Sequence, residues 1–303
     1  MLERFDTVIN EDDHKLTREE LVAGMRDSDV LVPCVTDRID ESMIAEAGNR
    51  LGMIANFGAG VEHLDLAACA KAGIQVSNTP GTFTEDTADL TMALVLGAAR
   101  RLGEGVRLIT EQTWTGWVPT HMLGTALSGK VLAIIGMGAI GQALARRARA
   151  FGMVVTYHNR RRLDPALEDG ARFVADLDTL IAEADFLSLN CPATDETRNL
   201  LDTRRIALMK RGSYVINSGR GDLIDEGALV AALESGHLAG AGLDVYRGEP
   251  AVDPRLATMP QVFGLPHLGS ATVEGRSAAG WKIIANIEAW LAREPLPDGL
   301  RIG

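Results

Sequence analysis

The fold is decided by residues 129–162, GKVLAIIGMGAIGQALARRARAFGMVVTYHNRRR. Three glycines stand where an apolar run passes into a helical pattern. Gly136 permits a sharp turn, Gly138 lets the backbone approach a pyrophosphate, and Gly141 lets the helix pack closely on the strand. The stretch is therefore expected to form a dinucleotide-binding βαβ unit, with the helix N-terminus at the phosphates. Its strand, helix and second strand are predicted at 131–135, 140–151 and 153–157.

Composition and charge limit the class of protein. The chain has 303 residues, is 46% hydrophobic and carries a formal net charge of -11. This length favours about two domains, and the negative charge argues against nucleic acid or an anionic membrane as the main partner. No apolar run reaches the roughly 20 residues that span a bilayer, and the N-terminus lacks signal-peptide features. We therefore expect a cytoplasmic protein.

The three cysteines, Cys34, Cys69 and Cys191, have no metal-type spacing. We expect reduced thiols and no metal site.

Short apolar runs alternate with helical patterns along the chain, which is typical of parallel sheets covered by helices. Thr17 and Asp40 are expected to cap helices, and a long apolar helix begins at Thr84. Residues 104–128 show weak periodicity and are interpreted as an arm that contacts another subunit. Further strands are predicted at 29–33, 51–56, 74–78, 186–190, 213–219, 239–245 and 261–266, and further helices near 176–184, 203–210, 225–236 and 271–293.

These patterns predict an α/β protein of two Rossmann-like domains with doubly wound parallel sheets. A flavodoxin-like substrate domain is assigned to 1–98 and 267–303, because the last helix lies beyond the nucleotide-binding unit. The dinucleotide-binding domain is assigned to 99–266. We expect the active site in the cleft between the two domains.

The turn after the second strand of the βαβ unit indicates the form of the dinucleotide. An NAD site usually has an acidic residue about 20 residues beyond the first glycines, whereas here Asn159, Arg160 and Arg161 follow the strand. Arginine binds a 2′-phosphate that a carboxylate would repel. We therefore predict that NADP(H) is preferred and leave NAD(H) open. The alternative interpretation of the turn is a solvated basic surface.

Three further polar residues stand at or beyond the ends of predicted strands. They are Arg220 in NSGRGD, Glu249 in YRGEP and His267 in LPHLGSAT. Ligands bind at this edge of a doubly wound sheet, where the three would supply an anion anchor, a partner for an imidazolium and a proton donor. Singly, they can also be interpreted as a surface charge, a turn residue and a structural histidine.

Several long motifs follow one another along the chain in the same order as in one protein family. They resemble the successive signatures of the D-isomer-specific 2-hydroxyacid dehydrogenases, over nearly the whole chain. Within that family, the NFGAG loop, the YHNRR turn and WTGWVPTHMLG look most like bacterial NADPH-dependent glyoxylate/hydroxypyruvate reductases. The motifs are NFGAGVEHLDL, SNTPGTFTEDTADLTMALVL, GMGAIG, NSGRGDLIDEGALVAAL, AGAGLDVYRGEP and LPHLGSAT.

The resemblance implies reduction of glyoxylate or hydroxypyruvate to the 2-hydroxy acid with NADPH. It implies that Arg220 binds the substrate carboxylate and keto oxygen, that His267 protonates this oxygen, and that Glu249 pairs with His267. Backbone N–H groups of Ala59 and Gly60 would hold the carboxylate from the other domain. The implied cofactor contacts are Thr87, Gly136, Gly138, Ala139, Ile140, Gly141, Asn159, Arg160, Arg161, Cys191, Pro192, Thr197, Ser218, Gly219, Arg220, Asp244, His267, Gly269 and Ser270.

In similar reductases a Trp that matches Trp117 reaches the substrate pocket of the partner subunit, so a homodimer is expected. The alternative for Trp117 is an interface or core aromatic. Relatives also begin with a strand and helix upstream of Leu2, so an initial strand and helix are expected to be missing. Residues 1–5 look like the end of an amphipathic helix.

Other functions on the same fold stay open. Formate dehydrogenases resemble this chain but place Gln where Glu249 stands, so Glu249 favours hydroxyacid chemistry. Pyruvate-type 2-keto acids and phosphoglycerate are alternative substrates, although the acidic residue typical of an NAD site is missing. A non-catalytic NAD(H)-sensing protein, like the corepressor relatives, is the alternative of a different class.

Overall fold

The computed structural model describes residues 3–300 and divides into two compact units. The first unit comprises Met1–Phe83 and Thr272–Gly303, and the second comprises Thr84–Ala271. The helices are α1 (Arg18–Asp27), α2 (Glu41–Ala47), α3 (Leu66–Lys71), α4 (Thr84–Ala99), α5 (Leu102–Thr110), α6 (Ala139–Ala150), α7 (Pro165–Glu168), α8 (Leu177–Glu183), α9 (Thr203–Leu208), α10 (Glu226–Glu234), α11 (Pro254–Thr258) and α12 (Val273–Leu291). The strands are β1 (Val30–Leu31), β2 (Met53–Ala55), β3 (Gln75–Ser77), β4 (Val131–Ile135), β5 (Val154–His158), β6 (Arg172–Phe173), β7 (Phe186–Leu189), β8 (Ser213–Asn217), β9 (Leu238–Leu243) and β10 (Val262–Gly264).

The described residues of the first unit form a parallel sheet in the order β1-β2-β3. The predicted caps are present: the Thr17 hydroxyl accepts the Glu20 N–H and the Asp40 carboxylate accepts the Met43 N–H, which satisfies N–H groups that a helix start leaves open. On one face of the sheet, Ile283 and Ile287 of α12 pack against β2. The long C-terminal helix therefore belongs to the unit that contains the N-terminal sheet.

The second unit is built on a seven-stranded parallel sheet in the order β10-β9-β8-β7-β4-β5-β6. The chain starts in the middle with β4, winds outward through β5 and β6, and then returns to β7 on the other side of β4. Ligands bind at such a switch point, outside the carboxyl ends of the strands. The glycine turn follows β4 and therefore stands at this point.

The predicted α/β class with parallel sheets is confirmed. The central strand β4 has its predicted bounds, whereas α6 begins and ends one residue earlier than predicted and β5 begins one residue later. A separate helix, α5, lies where the sequence pattern was interpreted as a weakly periodic arm. Arg101 has a φ of 56°, which interrupts the helical conformation between α4 and α5.

The compact units divide the chain at other residues than the predicted domain boundaries of 98/99 and 266/267. Helix α4 packs on α6, β8, β9 and β10, and all of these elements lie in the second unit. The unit therefore begins at Thr84, where this helix begins, and it includes the loop after His267.

The expected helix end at residues 1–5 falls partly on Met1 and Leu2, which lie outside the described residues. Residues 3–5 form a turn and a bend rather than helix. No helix in the described part of the chain combines the length and apolar character needed to cross a bilayer. Between residues 3 and 300, no group of three or more His, Cys, Asp or Glu side chains could hold a metal ion.

Candidate active site

A histidine and a glutamate form a close pair in the segments that follow β9 and β10. His267 Nδ1 lies 2.7 Å from Glu249 Oε2, and the second carboxylate oxygen, Oε1, accepts the Tyr246 N–H at 2.7 Å. Because a carboxylate only accepts, Nδ1 carries the proton of this bond. The ring is thereby held in one orientation, and Nε2 is the nitrogen that can exchange a proton with a ligand.

The surroundings of Glu249 keep it ionised. Partial burial favours the neutral acid, but the hydrogen bonds from His267 and from the Tyr246 N–H, together with the positive charge of Arg220, outweigh burial. The net effect lowers the pKa of Glu249 below its ordinary value of 4.5. At neutral pH the imidazole therefore has a carboxylate beside it, 2.7 Å from Nδ1.

The loop that carries His267 is fixed by a buried carboxylate, Asp244. The two oxygens of Asp244 accept the N–H groups of Leu268 and Gly269 at 2.7 and 2.8 Å, and the Thr87 hydroxyl donates to the Gly269 carbonyl at 2.9 Å. His267 itself has a φ of 56°, which is uncommon for a residue other than glycine. These bonds therefore hold the histidine in a backbone conformation that it would otherwise rarely adopt.

Burial raises the pKa of Asp244, and the two backbone N–H groups oppose this only in part. The resemblance implies that Asp244 contacts the cofactor. Both its oxygens are bonded to the His267 loop, and contact with the cofactor stays a prediction.

Arg220 follows β8 in a tight turn. The Asn217 side chain accepts the Gly219 N–H at 3.0 Å and donates to the Arg220 carbonyl at 2.9 Å. A Cβ at Gly221 would lie 2.1 Å from the carbonyl carbon of Tyr246, so the turn can approach the Tyr246–Glu249 segment only with glycine there. Arg220 is thereby placed near enough for its charge to act on Glu249.

The glycine turn after β4 has the shape that a pyrophosphate requires. Gly136 has a φ of 96°, and a Cβ there would lie 2.6 Å from the Cys191 nitrogen; a Cβ on Gly141 would lie 2.5 Å from the Gly136 carbonyl oxygen. At Gly138 an added Cβ would meet nothing within 4 Å, and no side chain of residues 3–300 caps α6. Gly138 therefore leaves open space beside free helix N–H groups, where a phosphate fits.

A cavity of about 880 Å³ is lined by residues that follow β4, β5 and β7. This volume is in the range of cofactor sites. Of the predicted cofactor residues, those on its wall are Gly136, Gly138, Asn159, Arg160, Arg161, Cys191, Pro192 and Thr197. The residues of this second unit therefore fit a dinucleotide, as the glycine motif predicts.

Several predicted residues lie elsewhere. Ala139, Ile140 and Gly141 form the first turn of α6. Ala59 and Gly60 belong to the first unit, and Trp117 is 77% exposed. Those that stand around the Arg220 and His267 loops of the second unit are Thr87, Ser218, Gly219, Arg220, Asp244, His267, Gly269 and Ser270.

Two residues on the cavity wall have contacts that the sequence did not predict. The Asn159 side-chain oxygen accepts the Met137 N–H at 2.7 Å, so Asn159 stabilises the glycine turn. Glu196, which sequence reasoning missed, lines the cavity with its Oε2 3.7 Å from Arg160 Nη1. Nothing in the spacing of Glu196 signals this position, because it comes from the segment after a different strand.

The three consecutive arginines after β5 have separate environments. Arg162 is bonded to Glu168 at 2.7 and 3.0 Å, whereas Arg160 and Arg161 lie on the cavity wall. Arg160 is 88% exposed along its side chain. Arg160 and Arg161 are therefore the two whose guanidinium groups can meet a ligand.

Residues 92–269 match the family model described as D-isomer specific 2-hydroxyacid dehydrogenase, NAD binding domain. The chain belongs to this family. The predicted family is thereby confirmed, and the matched residues lie within the second unit.

Similar proteins span nearly the same length as this dehydrogenase. A glyoxylate reductase of Thermococcus litoralis is 40% identical over 98% of the chain and 91% of its own length. A glycerate dehydrogenase of Hyphomicrobium methylovorum is 38% identical over 90% of the chain and 86% of its own.

Among solved structures, the chain is similar to an NADPH-dependent glyoxylate/hydroxypyruvate reductase from Sinorhizobium meliloti in complex with NADP and malonate. The two are 32% identical, with a TM-score of 0.86 over 99% of this chain and 92% of the other.

Proposed function

We propose that this dehydrogenase reduces a small 2-keto acid, glyoxylate or hydroxypyruvate, to the 2-hydroxy acid with NADPH as the preferred cofactor. The observation that carries the proposal is the 2.7 Å pair of His267 and Glu249 beside the charge of Arg220. Reduction of a keto group needs a proton at the oxygen as well as a hydride at carbon, and a carboxylate-held imidazole supplies it. The relatives named glyoxylate reductase and glyoxylate/hydroxypyruvate reductase support this substrate class.

Each residue has a defined task in this proposal. When bound, the reduced nicotinamide supplies the hydride. His267 donates the proton from Nε2 to the keto oxygen, and Glu249 stabilises the charge of the ring before that transfer. Arg220 binds the substrate carboxylate and stabilises negative charge on the keto oxygen, while the backbone N–H groups of Ala59 and Gly60 bind the carboxylate.

Glu249 also favours this reaction over oxidation of formate. Hydride loss from formate leaves no proton to be moved, so an ionised partner for the histidine would have no task there. The bond between Glu249 and His267 supports a reaction in which the imidazole changes its charge.

The preference for NADPH rests on Arg160 and Arg161, which lie on the cavity wall after β5. Two guanidinium groups at this position favour a 2′-phosphate through charge-assisted hydrogen bonds. Glu196 opposes them in part, since its carboxylate also lines the cavity.

The test compares the wild type with an Arg160→Ser, Arg161→Ser double variant. Consumption of reduced nicotinamide is followed by absorbance with glyoxylate, hydroxypyruvate, pyruvate and formate, each with NADPH and NADH. We expect the wild type to prefer the first two substrates with NADPH. In the double variant, kcat/KM for NADPH should fall by roughly 10- to 100-fold, while that for NADH changes little.

Different results would contradict different parts of the proposal. Equal losses with both cofactors would contradict the assignment of the two arginines to a 2′-phosphate. Turnover of formate or pyruvate alone would contradict glyoxylate and hydroxypyruvate as the proposed substrates. Binding of NADPH without turnover of any acid would favour the cofactor-sensing alternative.

A further inference from the structure

The loop at residues 57–63 of the first unit has successive carbonyl groups held by side-chain amides. Asn56 directly follows β2 and is fully buried. Its Nδ2 donates to the carbonyls of Gly58 and Gly60, at 3.0 and 2.9 Å. The Asn78 Nδ2, from the segment after β3, donates to the Ala59 carbonyl between them at 2.7 Å. Two asparagines thus fix the direction of three consecutive peptide groups.

The direction of these carbonyls also sets the direction of the next N–H groups. A trans peptide places its N–H opposite its carbonyl, and these peptides are trans. The N–H groups of Ala59, Gly60 and Val61 therefore point away from the asparagine amides. None of the three donates to an acceptor within residues 3–300. Successive backbone N–H groups without internal acceptors favour an anion.

The oxygen of the Asn56 amide is bonded to His63. The His63 Nε2 and the Asn56 Oδ1 are 2.9 Å apart. Because the Asn56 nitrogen is committed to two carbonyls, its oxygen faces the ring, and Nε2 must be the donor. The reverse orientation of the amide would place its oxygen against two carbonyl oxygens and is excluded by that repulsion.

We infer that Asn56, whose amide is bonded to His63 and to two carbonyls, is a positioning residue for the substrate carboxylate. It turns the carbonyls of Gly58 and Gly60 away from the anion and so presents the N–H groups of Ala59 and Val61. This inference rests on the proposed reduction of a 2-keto acid and adds the side chains that give the loop its binding form. Asn78 acts in the same way: it holds the Ala59 carbonyl and so presents the N–H group of Gly60.

The alternative is that Asn56 only stabilises the fold, and the first unit contains a matched case for comparison. Asn286 is also fully buried. Its Nδ2 donates to the Lys282 carbonyl and to Asp298 at 2.8 and 3.1 Å, and its Oδ1 accepts the Asp298 N–H at 3.0 Å. Asn286 therefore has the same chemistry and burial without a bond to the 57–63 loop.

The experiment replaces Asn56 by Asp, which keeps the shape but puts a carboxylate oxygen against two carbonyls. Asn286→Asp is the matched control. Oxamate, a small carboxylate, is titrated by calorimetry in the presence of NADPH, and kcat and KM are measured with glyoxylate. For Asn56→Asp we expect the oxamate Kd and the glyoxylate KM to rise at least ~10-fold. The kcat should change much less, because the loop binds the carboxylate equally in the ground state and in the transition state. The affinity for NADPH should be unchanged.

A second pair of variants keeps the test valid if Asn56→Asp does not fold. His63→Leu removes the donor to the Asn56 oxygen and so weakens the hold on its amide, whereas His63→Gln retains an N–H donor. We expect His63→Leu to raise the oxamate Kd and His63→Gln to restore most of the wild-type affinity. The Asn286→Asp control should lower thermal stability without changing oxamate affinity.

Oxamate binding requires no turnover, so the two proposals fail separately. A wild type that binds oxamate but reduces no keto acid would overturn the proposed function and still permit this comparison. The inference is overturned if the wild type binds no oxamate. It is also overturned if the foldable variants of Asn56 and His63 bind oxamate as the Asn286 control does.

Discussion

At the scale of single residues, His267 differs from His237 in the groups that hold it. Its Nδ1 is bonded to a carboxylate, and its backbone is fixed in a left-handed conformation by the Asp244 loop. His237 in the same unit is also hydrogen-bonded, but its Nε2 meets the Ile206 carbonyl at 3.0 Å. His267 is thus bonded to an ionised side chain, whereas His237 is bonded to a backbone carbonyl.

We expect His267→Ala to lower kcat by roughly 10²- to 10⁴-fold, the range of a lost general acid. NADPH binding, measured by fluorescence titration, should persist because the cavity wall does not include His267. His237→Ala is the control and should retain turnover close to that of the wild type. Loss of both turnover and NADPH binding in a folded His267→Ala protein would mean that this histidine is structural.

The sequence predicts the identity of these residues better than their bonds. Arg220, Glu249 and His267 were found because each follows a strand and lies in a long motif. The bonds of Asn56 and Asn159 were not found, since both side chains bond to backbone groups, Asn56 in the loop that follows it and Asn159 in the earlier glycine turn. A hydrogen bond to the backbone leaves no pattern of residue types, and only the folded chain shows which peptide group is within reach.

At the scale of elements, the turn after β5 is connected to α7 by a buried carboxylate. Glu168 accepts the Tyr157 hydroxyl at 2.7 Å and two bonds from Arg162, and the same hydroxyl accepts the Leu163 N–H at 3.1 Å. Arg162 therefore ties the turn that carries Arg160 and Arg161 to α7 through its bonds to Glu168. This explains why only two of the three arginines are left for a ligand.

The stability that Glu168 contributes should depend on pH. Its bonds to Arg162 and to Tyr157 lower its pKa from 4.5 to about 2. Between these values the unfolded chain binds the proton and the folded chain does not, so the contribution is complete above pH 4.5 and decreases as pH falls toward about 2. The difference in free energy of unfolding between wild type and Glu168→Gln should therefore be largest at neutral pH and smaller at about pH 3.5.

Urea unfolding followed by circular dichroism at several pH values measures this difference. Glu183→Gln is the matched control, because Glu183 is also paired with an arginine, Arg172, but is more exposed. Exposed pairs contribute little, so this control should differ little from the wild type at any pH. A Glu168→Gln difference that is independent of pH would contradict the assigned ion pair.

The elements that the sequence predicts well are those with a long apolar run or a glycine signature. Strand β4 and helix α6 are of this kind, because burial on a parallel sheet and a phosphate turn both impose strict residue types. Strand β6 has two residues and α7 has four, which is too short for periodicity to show. Helix α5 was missed although Leu102, Val106 and Ile109 recur at helical spacing, and none of its residues is buried.

At the scale of the whole molecule, α5 presents apolar side chains that its own unit does not cover. Leu102, Val106 and Ile109 lie on one side of the helix and are 47%, 61% and 62% exposed, and α5 has no buried residue. Trp117, farther along the same segment, is 77% exposed. An apolar helix face of this kind favours association with another protein surface, which supports the predicted homodimer.

We expect the wild type to have twice the chain mass of 32.4 kDa in size-exclusion chromatography with light scattering. A Val106→Glu, Ile109→Glu double variant should have the mass of one chain, because two carboxylates in an apolar contact cost more than the contact contributes. Val273→Glu, at a residue that is 80% exposed in the first unit, is the control and should leave the mass unchanged. A wild type with the mass of one chain, or a double variant that keeps the double mass, would show that α5 is not the dimer contact.

Turnover of the double variant then tests Trp117. If this residue reaches the partner's substrate pocket, separation of the subunits should raise KM for the keto acid and leave NADPH affinity unchanged.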